Sequence, residues 1–234
     1  MKIRYFFGIL GLILFISSCA NKDQKEYEIT EVWIPMSDDV RLAADIYWPA
    51  DYEQEKTYPV LLEYIPYRKD ESRGRNYPLY SYFLDHDYIV ARVDMRGTGN
   101  SEGITIPYEY SDIELDDGEE VINWLSQQEW STGSVGMFGI SWGGFNSIQM
   151  AMRNPPALKA FVSLMATEYL YQEDVHYMDG IMHTDSWMMG NDLYNVLPGA
   201  PDFKMDEEWV KNRFNVKPSV YTYMRQQRDG AFWD

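Results

Sequence analysis

The sequence predicts an α/β fold, in which a mostly parallel sheet starts with an antiparallel N-terminal hairpin, carries helices on both faces and is followed by a partial helical cap. Hydrophobic residues make up 45% and aromatic residues 16% of the 234 positions, a composition typical of a globular domain. From residue 27 to residue 167, apolar runs of strand length alternate with segments of helical spacing, and this alternation is typical of a parallel sheet. Beyond Ala166 the alternation stops.

The first elements are a hairpin. Residues 27–35 and 40–48 have the β-branched and aromatic composition of strands, and the polar segment 37–39 between them favours a turn. The pattern then predicts strands at 60–64, 88–93, 135–139 and 158–165, and helices at 78–87, 112–127 and 145–153. Pro78 is assigned to the first turn of its helix, where the missing N–H of proline has no intrahelical partner to lose. Residues 27–167 therefore form the predicted core.

The N-terminus predicts export and lipid attachment. A basic start precedes an apolar run over residues 5–16, which is too short for a spanning helix, since about 20 apolar residues are needed. The run ends in Ser-Ser-Cys, which resembles the bacterial lipobox, and Cys19 is the only cysteine. We expect a signal peptide over 1–18, a tether over 19–26 and a lipid-anchored protein of the bacterial cell envelope, facing the periplasm or the outside. An incidental thiol is the alternative for Cys19.

Charge and motif spacing exclude several kinds of partner. The formal net charge of −17 argues against nucleic acid, because phosphate binding relies on clustered Lys and Arg. The glycine-rich segment 94–103 lacks the spacing of nucleotide-binding loops, so no cofactor is predicted. Asp174, Asp179 and Asp185 lie near one another in sequence, but without a firm helical face or a further clear ligand they do not predict a metal site.

The motif Gly139-Ile140-Ser141-Trp142-Gly143 carries the predicted chemistry. It lies between a predicted strand and a predicted helix, which is the context of a nucleophile elbow, and its two glycines leave room for a strained turn. We therefore predict Ser141 as the nucleophile. The backbone N–H of Trp142 is predicted to bind the oxyanion, a contribution of about 3 kcal/mol to the barrier. A Gly-Ser turn without chemistry is the alternative.

Residues 30–234 resemble the X-prolyl dipeptidyl-peptidase and cocaine-esterase branch of the α/β-hydrolases. The landmarks besides the elbow are MSDDVRLAAD at 36–45, YIPYRK at 64–69 and DMRGTGNSEG at 94–103. The resemblance implies an α/β-hydrolase fold and assigns 168–234 to a helical cap, here incomplete. It also implies that the hydroxyl of Tyr67 stabilises the oxyanion, as a phenol that stays protonated at neutral pH can do. A packed aromatic is the alternative for Tyr67.

The resemblance further implies an acid and a histidine that follow the serine, on loops after two additional strands, and then a β-sandwich domain. Only His176 and His183 follow Ser141, and both fall in the predicted cap, whereas His86 precedes it. None is assigned to a triad. Three explanations stay open: a truncated gene or fragment, which we favour; a split enzyme whose separate chain supplies the Asp/His half; or a shortened protein that uses His176 or His183.

The predicted function is that of a serine hydrolase, which cleaves a small ester or peptide substrate through an acyl-enzyme on Ser141 and is weak or inactive as an isolated chain. The alternative is a noncatalytic surface lipoprotein that binds a peptide or ligand through the cap aromatics Trp187, Tyr194 and Trp209. Burial is the ordinary explanation for such aromatics. A sheet that ends at its sixth strand is also expected to expose an apolar edge.

Overall fold

A twisted sheet organises the computed structural model, which describes residues 27–71, 73–173, 177–178, 181–182 and 194–233. Within these residues the main sheet has six strands: β1 (Ile29–Pro35), β2 (Arg41–Tyr47), β3 (Tyr58–Ile65), β4 (Ile89–Asp94), β5 (Ser131–Ile140) and β6 (Leu158–Leu164). Three helices cover it: α1 (Arg73–Leu84), α2 (Asp112–Ser126) and α3 (Trp142–Arg153).

The strand order is β1-β2-β4-β3-β5-β6. β1 pairs with β2, and β2 with β4, in antiparallel fashion, whereas the pairs β4–β3, β3–β5 and β5–β6 are parallel. The predicted fold class is therefore confirmed, including the antiparallel N-terminal hairpin. Because β3, β5 and β6 run parallel, the residues that follow their carboxyl ends meet at one edge of the sheet.

The core lies on both faces of this sheet. On one face α2 and α3 bury a large cluster that includes Val60, Leu62 and Val121. On the other, Tyr80 of α1 packs with Val90 and other buried side chains. The apolar residues of β4 are divided between the two clusters, which explains why this strand is apolar on both faces although Arg92 interrupts the run.

Three elements begin three or more residues away from the predicted start. Helix α1 begins at Arg73, so Pro78 lies inside the helix and not in its first turn. Helix α3 begins at Trp142 and not at 145. The prediction placed its start too late because Gly143 and Gly144 are poor helix formers, whereas close packing requires glycine at these positions. Strand β5 begins at Ser131 and not at 135, because its polar first residue pairs with Tyr58 at the start of β3.

The cap region is less helical than the sequence predicts. Its described part contains α4 (Leu170–Glu173), a two-stranded ribbon of β7 (Tyr177–Met178) and β8 (Ile181–Met182), α5 (Glu207–Trp209), a π-helical turn (Val210–Phe214) and α6 (Val220–Tyr223). Aromatic and Met-rich composition indicated helix, but Pro198, Pro201 and Pro218 interrupt the chain here. No helix among the described residues is long and apolar enough to cross a membrane, and the predicted segments 1–18 and 19–26 lie outside them.

Candidate active site

Ser141 occupies a strained turn between β5 and α3. Its φ of 57° and ψ of −125° lie in a region that non-glycine residues rarely adopt, at a cost of about 1–3 kcal/mol. The turn is held on both sides, since the Ser141 N–H donates to the carbonyl of Leu164 at 2.9 Å and its carbonyl accepts from the N–H of Phe145 at 2.9 Å. The backbone of β6 thus fixes the serine at the carboxyl edge of the sheet.

The glycines around Ser141 are required by close backbone approach. A Cβ on Gly139 would lie 2.4 Å from the carbonyl carbon of Gly143, and a Cβ on Gly144 would lie 2.6 Å from the carbonyl oxygen of Leu164. Contacts this short cannot be relieved by a side-chain rotation because the opposing atoms are backbone. The packing of this turn therefore requires glycine at these positions.

Tyr67 follows β3 and reaches across to the elbow. Its hydroxyl donates to the Oγ of Ser141 at 3.2 Å and accepts from the backbone N–H of Trp142 at 3.3 Å. The structure therefore brings the three predicted site residues into one cluster. Burial raises the pKa of the Tyr67 phenol, outweighing its hydrogen bonds to Ser141 and Trp142, which lower it. The phenol is protonated at neutral pH and can donate.

The loop that carries Tyr67 is tied to the end of β4. One oxygen of the buried Asp94 carboxylate accepts from the N–H of Lys69, and the other accepts from the N–H of Asn100 at 2.9 Å. Burial raises the pKa of Asp94 to about 7, although both hydrogen bonds and the charge of Lys69 act to lower it. Arg96, two residues further along the chain, pairs with Asp117 and Asp38.

A sequence profile of the X-Pro dipeptidyl-peptidase family (S15) matches residues 38–233. The chain belongs to this family. Cocaine esterase of Rhodococcus sp. (strain MB1 Bresler) is 34% identical over 145 residues, which cover 61% of this chain and 24% of that protein. A solved CocE/NonD family hydrolase from Staphylococcus aureus matches 87% of this chain and 36% of its own, with 25% identity and a TM-score of 0.68.

An α-amino acid ester hydrolase shares the fold, with a TM-score of 0.67 at 23% identity over 94% of this chain and 42% of its own. These likenesses confirm the resemblance drawn from the landmark motifs. The S15-family chain nevertheless spans about a quarter of the length of cocaine esterase. The activity of a whole relative therefore does not transfer to it directly.

The described residues of this S15-family chain bring no histidine to Ser141. His86 accompanies the turn between α1 and β4, where its Nδ1 lies 2.6 Å from the carbonyl oxygen of Tyr82. Because it precedes a strand of the parallel set and Ser141 follows one, the two residues lie at opposite edges of the sheet. His176 and His183 lie outside the described residues. The described residues thus bring the predicted nucleophile and the predicted oxyanion donors together, and they bring no histidine to them.

The region predicted to be a cap contacts the predicted core through Arg213. The guanidinium donates to the carbonyls of Gly99 and Ser101, and Gly99 also forms a bridge with Pro198. Burial lowers the pKa of Arg213 to about 10, and the nearby Asp94 acts in the opposite direction. The glycine-rich segment 94–103 therefore accepts hydrogen bonds from Arg213 through its backbone carbonyls.

The cap aromatics proposed as a binding patch are partly engaged within the chain. The indole N–H of Trp209 donates to the carbonyl of Val196 at 2.8 Å, and its ring stacks on Phe214. The ring of Tyr194 lies 4.2 Å from the guanidinium carbon of Arg68. Trp187 lies outside the described residues, as do Asp174, Asp179 and Asp185. In the described part, no group of three or more His, Cys, Asp or Glu side chains could hold a metal ion.

Sequence reasoning missed one acidic residue of the site. Glu114 is fully buried, and it accepts a hydrogen bond from the indole of Trp142. In the sequence it is one of several acids at the start of a helix, which the helix dipole explains without any site. Only its spacing among the apolar positions Leu115, Val121 and Ile122 could have hinted at burial.

Proposed function

We propose that this chain is the nucleophile-bearing part of a serine hydrolase that cleaves ester or X-prolyl peptide bonds through an acyl-enzyme on Ser141. The observation that carries the proposal is the Tyr67 hydroxyl, which lies 3.2 Å from the Oγ of Ser141 and 3.3 Å from the N–H of Trp142. A nucleophile and two oxyanion donors within such reach are the minimum geometry for acyl transfer.

The reaction follows from this geometry. The Oγ of Ser141 attacks the acyl carbon and loses its proton to a base, while the carbonyl oxygen becomes an oxyanion. The Tyr67 hydroxyl turns from Ser141 towards this oxyanion, and the Trp142 N–H, released from Tyr67, donates beside it. The alcohol or amine then leaves with the proton from the base, and water hydrolyses the acyl-enzyme by the same steps.

We propose that the base comes from a segment that docks beside β6. Within the described residues β6 pairs with β5 alone, and Phe161, Val162 and Leu164 are each about half exposed. A strand added parallel to β6 would place its following loop at the edge where Ser141 lies. The segment would be a strand-bearing polypeptide that brings a histidine and an acid, for which a separate chain is one source.

This docking has a direct test. The remainder of a family member, expressed as a separate chain, should raise the reactivity of Ser141 when mixed with this one. Val162→Asp on the open strand should prevent the increase, because the docked segment would have to bury an uncompensated charge on that face of the sheet. An increase that persists in the Val162→Asp variant would contradict docking at β6.

We also propose that Cys19 is lipidated and anchors the chain to the bacterial envelope, on the periplasmic or outer side. The apolar run before Cys19 and the polar segment after it support the proposal. Radiolabelled palmitate should enter the wild-type chain and not the Cys19→Ser variant. Equal incorporation into both would contradict lipidation at this position.

Hydrolysis by the full chain tests the proposed chemistry. At least one of two substrates, a p-nitrophenyl ester and a glycyl-prolyl p-nitroanilide, should form an acyl or peptidyl adduct on Ser141, detected by intact mass. Added imidazole should accelerate adduct formation by acting as a base. Ser141→Ala is the control for imidazole-catalysed background hydrolysis. A folded sample that forms no adduct with either substrate, with or without imidazole, would refute the proposal; adduct with one alone would assign the bond type.

A further inference from the structure

Glu114 is a buried acid that no step above uses. It lies in the first turn of α2, is 0% exposed and sits beneath the elbow. A helix dipole explains an acid in this turn but not its burial, since Asp112 of the same turn is exposed. A fully buried carboxyl group is costly unless specific donors satisfy it.

Two of the donors to the Glu114 carboxyl lie on opposite oxygens. Its Oε1 accepts from the indole Nε1 of Trp142 at 2.7 Å, and its Oε2 accepts from the backbone N–H of Tyr110 at 2.6 Å. The Tyr110 ring lies edge-on to Trp142, with ring centroids 5.9 Å apart, and stacks on Phe145 at 5.0 Å. The carboxyl therefore links the indole to the loop that precedes α2.

Trp142 connects this anchor to the reacting atoms. Its backbone N–H is the donor beside the Ser141 Oγ, and its side chain is 6% exposed with a hydrogen bond at its far end. Since an indole has two χ angles, a bond at Nε1 together with packing against Tyr110 fixes the whole side chain. A fixed side chain restrains the direction of the Trp142 N–H, on which oxyanion stabilisation depends.

We propose that Glu114 is a positioning residue for the oxyanion hole: its carboxyl holds the Trp142 indole and thereby aims the Trp142 backbone N–H. The inference rests on the proposed function for its catalytic consequence. Glu114 acts through Trp142 and does not itself contact the reacting atoms.

The ionisation of Glu114 gives this link a measurable signature. Burial raises its pKa to about 8, against the hydrogen bonds from Trp142, Tyr110 and Asn146, while the charge of Glu109 raises it further. The charge of Glu114 also raises the pKa of Tyr64 and of Tyr67, and Tyr64 is in turn affected by the charges of Asp117 and Arg96. Because an ionised acceptor makes a stronger hydrogen bond, the indole N–H should be held more tightly as Glu114 loses its proton.

The test is nuclear magnetic resonance of the full chain in detergent, with tryptophan labelled by nitrogen-15 at both nitrogens. Trp142→Phe assigns the Trp142 indole and backbone signals. The indole proton should move downfield as the pH rises, with a midpoint well above the ordinary glutamate range. In Glu114→Gln this titration should vanish and the Trp142 backbone amide signal should shift. Glu119→Gln, the same substitution on the same helix without contact to Trp142, should leave both signals unchanged.

Reactivity completes the test. Fluorophosphonate labelling of Ser141 should slow about tenfold in Glu114→Gln, a fraction of the effect of removing an oxyanion donor. The change should appear in the rate of covalent bond formation and not in the affinity for the probe. A flat indole titration in the wild-type chain would overturn the proposal even if the variant fails to fold. An unchanged Trp142 backbone amide signal in a folded Glu114→Gln chain would overturn the proposal for Glu114, whether or not Ser141 reacts. An unreactive Ser141 in the wild-type chain would count against the proposed function alone. A titrating indole with unchanged labelling of the Glu114→Gln variant would reduce Glu114 to a structural role.

Discussion

Strands β4 and β6 are both apolar in sequence, yet they have opposite surroundings. All six residues of β4 are buried, whereas Phe161, Val162 and Leu164 of β6 are about half exposed. An apolar strand normally has both faces covered in a parallel sheet. The comparison indicates that the composition of β6 suits a cover that the described residues do not provide. The described residues likewise bring no histidine to Ser141.

A matched pair of substitutions tests the difference in burial between β4 and β6 most strongly. Val93→Asp in β4 places a charge at a fully buried position and should prevent folding, at a cost above about 4 kcal/mol. Val162→Asp in β6, where the side chain is 56% exposed, should change the free energy of unfolding little. Urea denaturation followed by circular dichroism measures both. Similar losses in the two variants would show that β6 is as buried in solution as β4.

The elbow should tolerate even a methyl group poorly. Gly139→Ala would place a Cβ 2.4 Å from the Gly143 carbonyl carbon, and we expect a loss of about 2–4 kcal/mol, since overpacking displaces backbone here. Gly230→Ala is the matched control because its Cβ would meet nothing within 4 Å. Thermal unfolding of both variants checks the prediction, and equal melting temperatures would contradict it.

Removing one hydroxyl from the site should affect reactivity without affecting folding. Tyr67→Phe keeps the ring but loses the donor 3.2 Å from the Ser141 Oγ, so the labelling rate of Ser141 should fall about 100-fold, the usual effect of one oxyanion donor. Stopped labelling reactions read by mass spectrometry give this rate. An unchanged rate would return Tyr67 to the role of a packed aromatic.

The buried end of β4 should also make stability depend on pH. The pKa of Asp94 is raised by burial from 3.8 to about 7, so between these values the folded chain binds more protons than the unfolded one. Stability contributed by this group is present at low pH and is lost as the pH rises through about 4 to 7. Asp94→Asn should flatten this part of the decline, which urea titrations at a series of pH values would measure. A steeper decline in the variant would contradict the assignment.

The sequence-based predictions succeeded where one local pattern dominates. The six strands and the elbow followed from apolar runs and from the spacing of Gly139, Ser141 and Gly143. The prediction of Tyr67 came from a resemblance, because the chain separation of 74 residues from Ser141 is invisible to local patterns. Glu114 was missed because its role depends on a contact between α2 and α3, and the start of α1 was wrong because packing tolerates Pro78 within the helix.

We propose that Ser141, Tyr67 and Trp142 form a nucleophile and an oxyanion hole to which the described residues bring no base. Labelling of the full chain with a fluorophosphonate, read by intact mass beside a Ser141→Ala control, tests it most directly. We predict slow modification of Ser141 that imidazole accelerates and that the control abolishes. A folded chain that is not modified even with imidazole, or is modified equally in the control, would contradict the account.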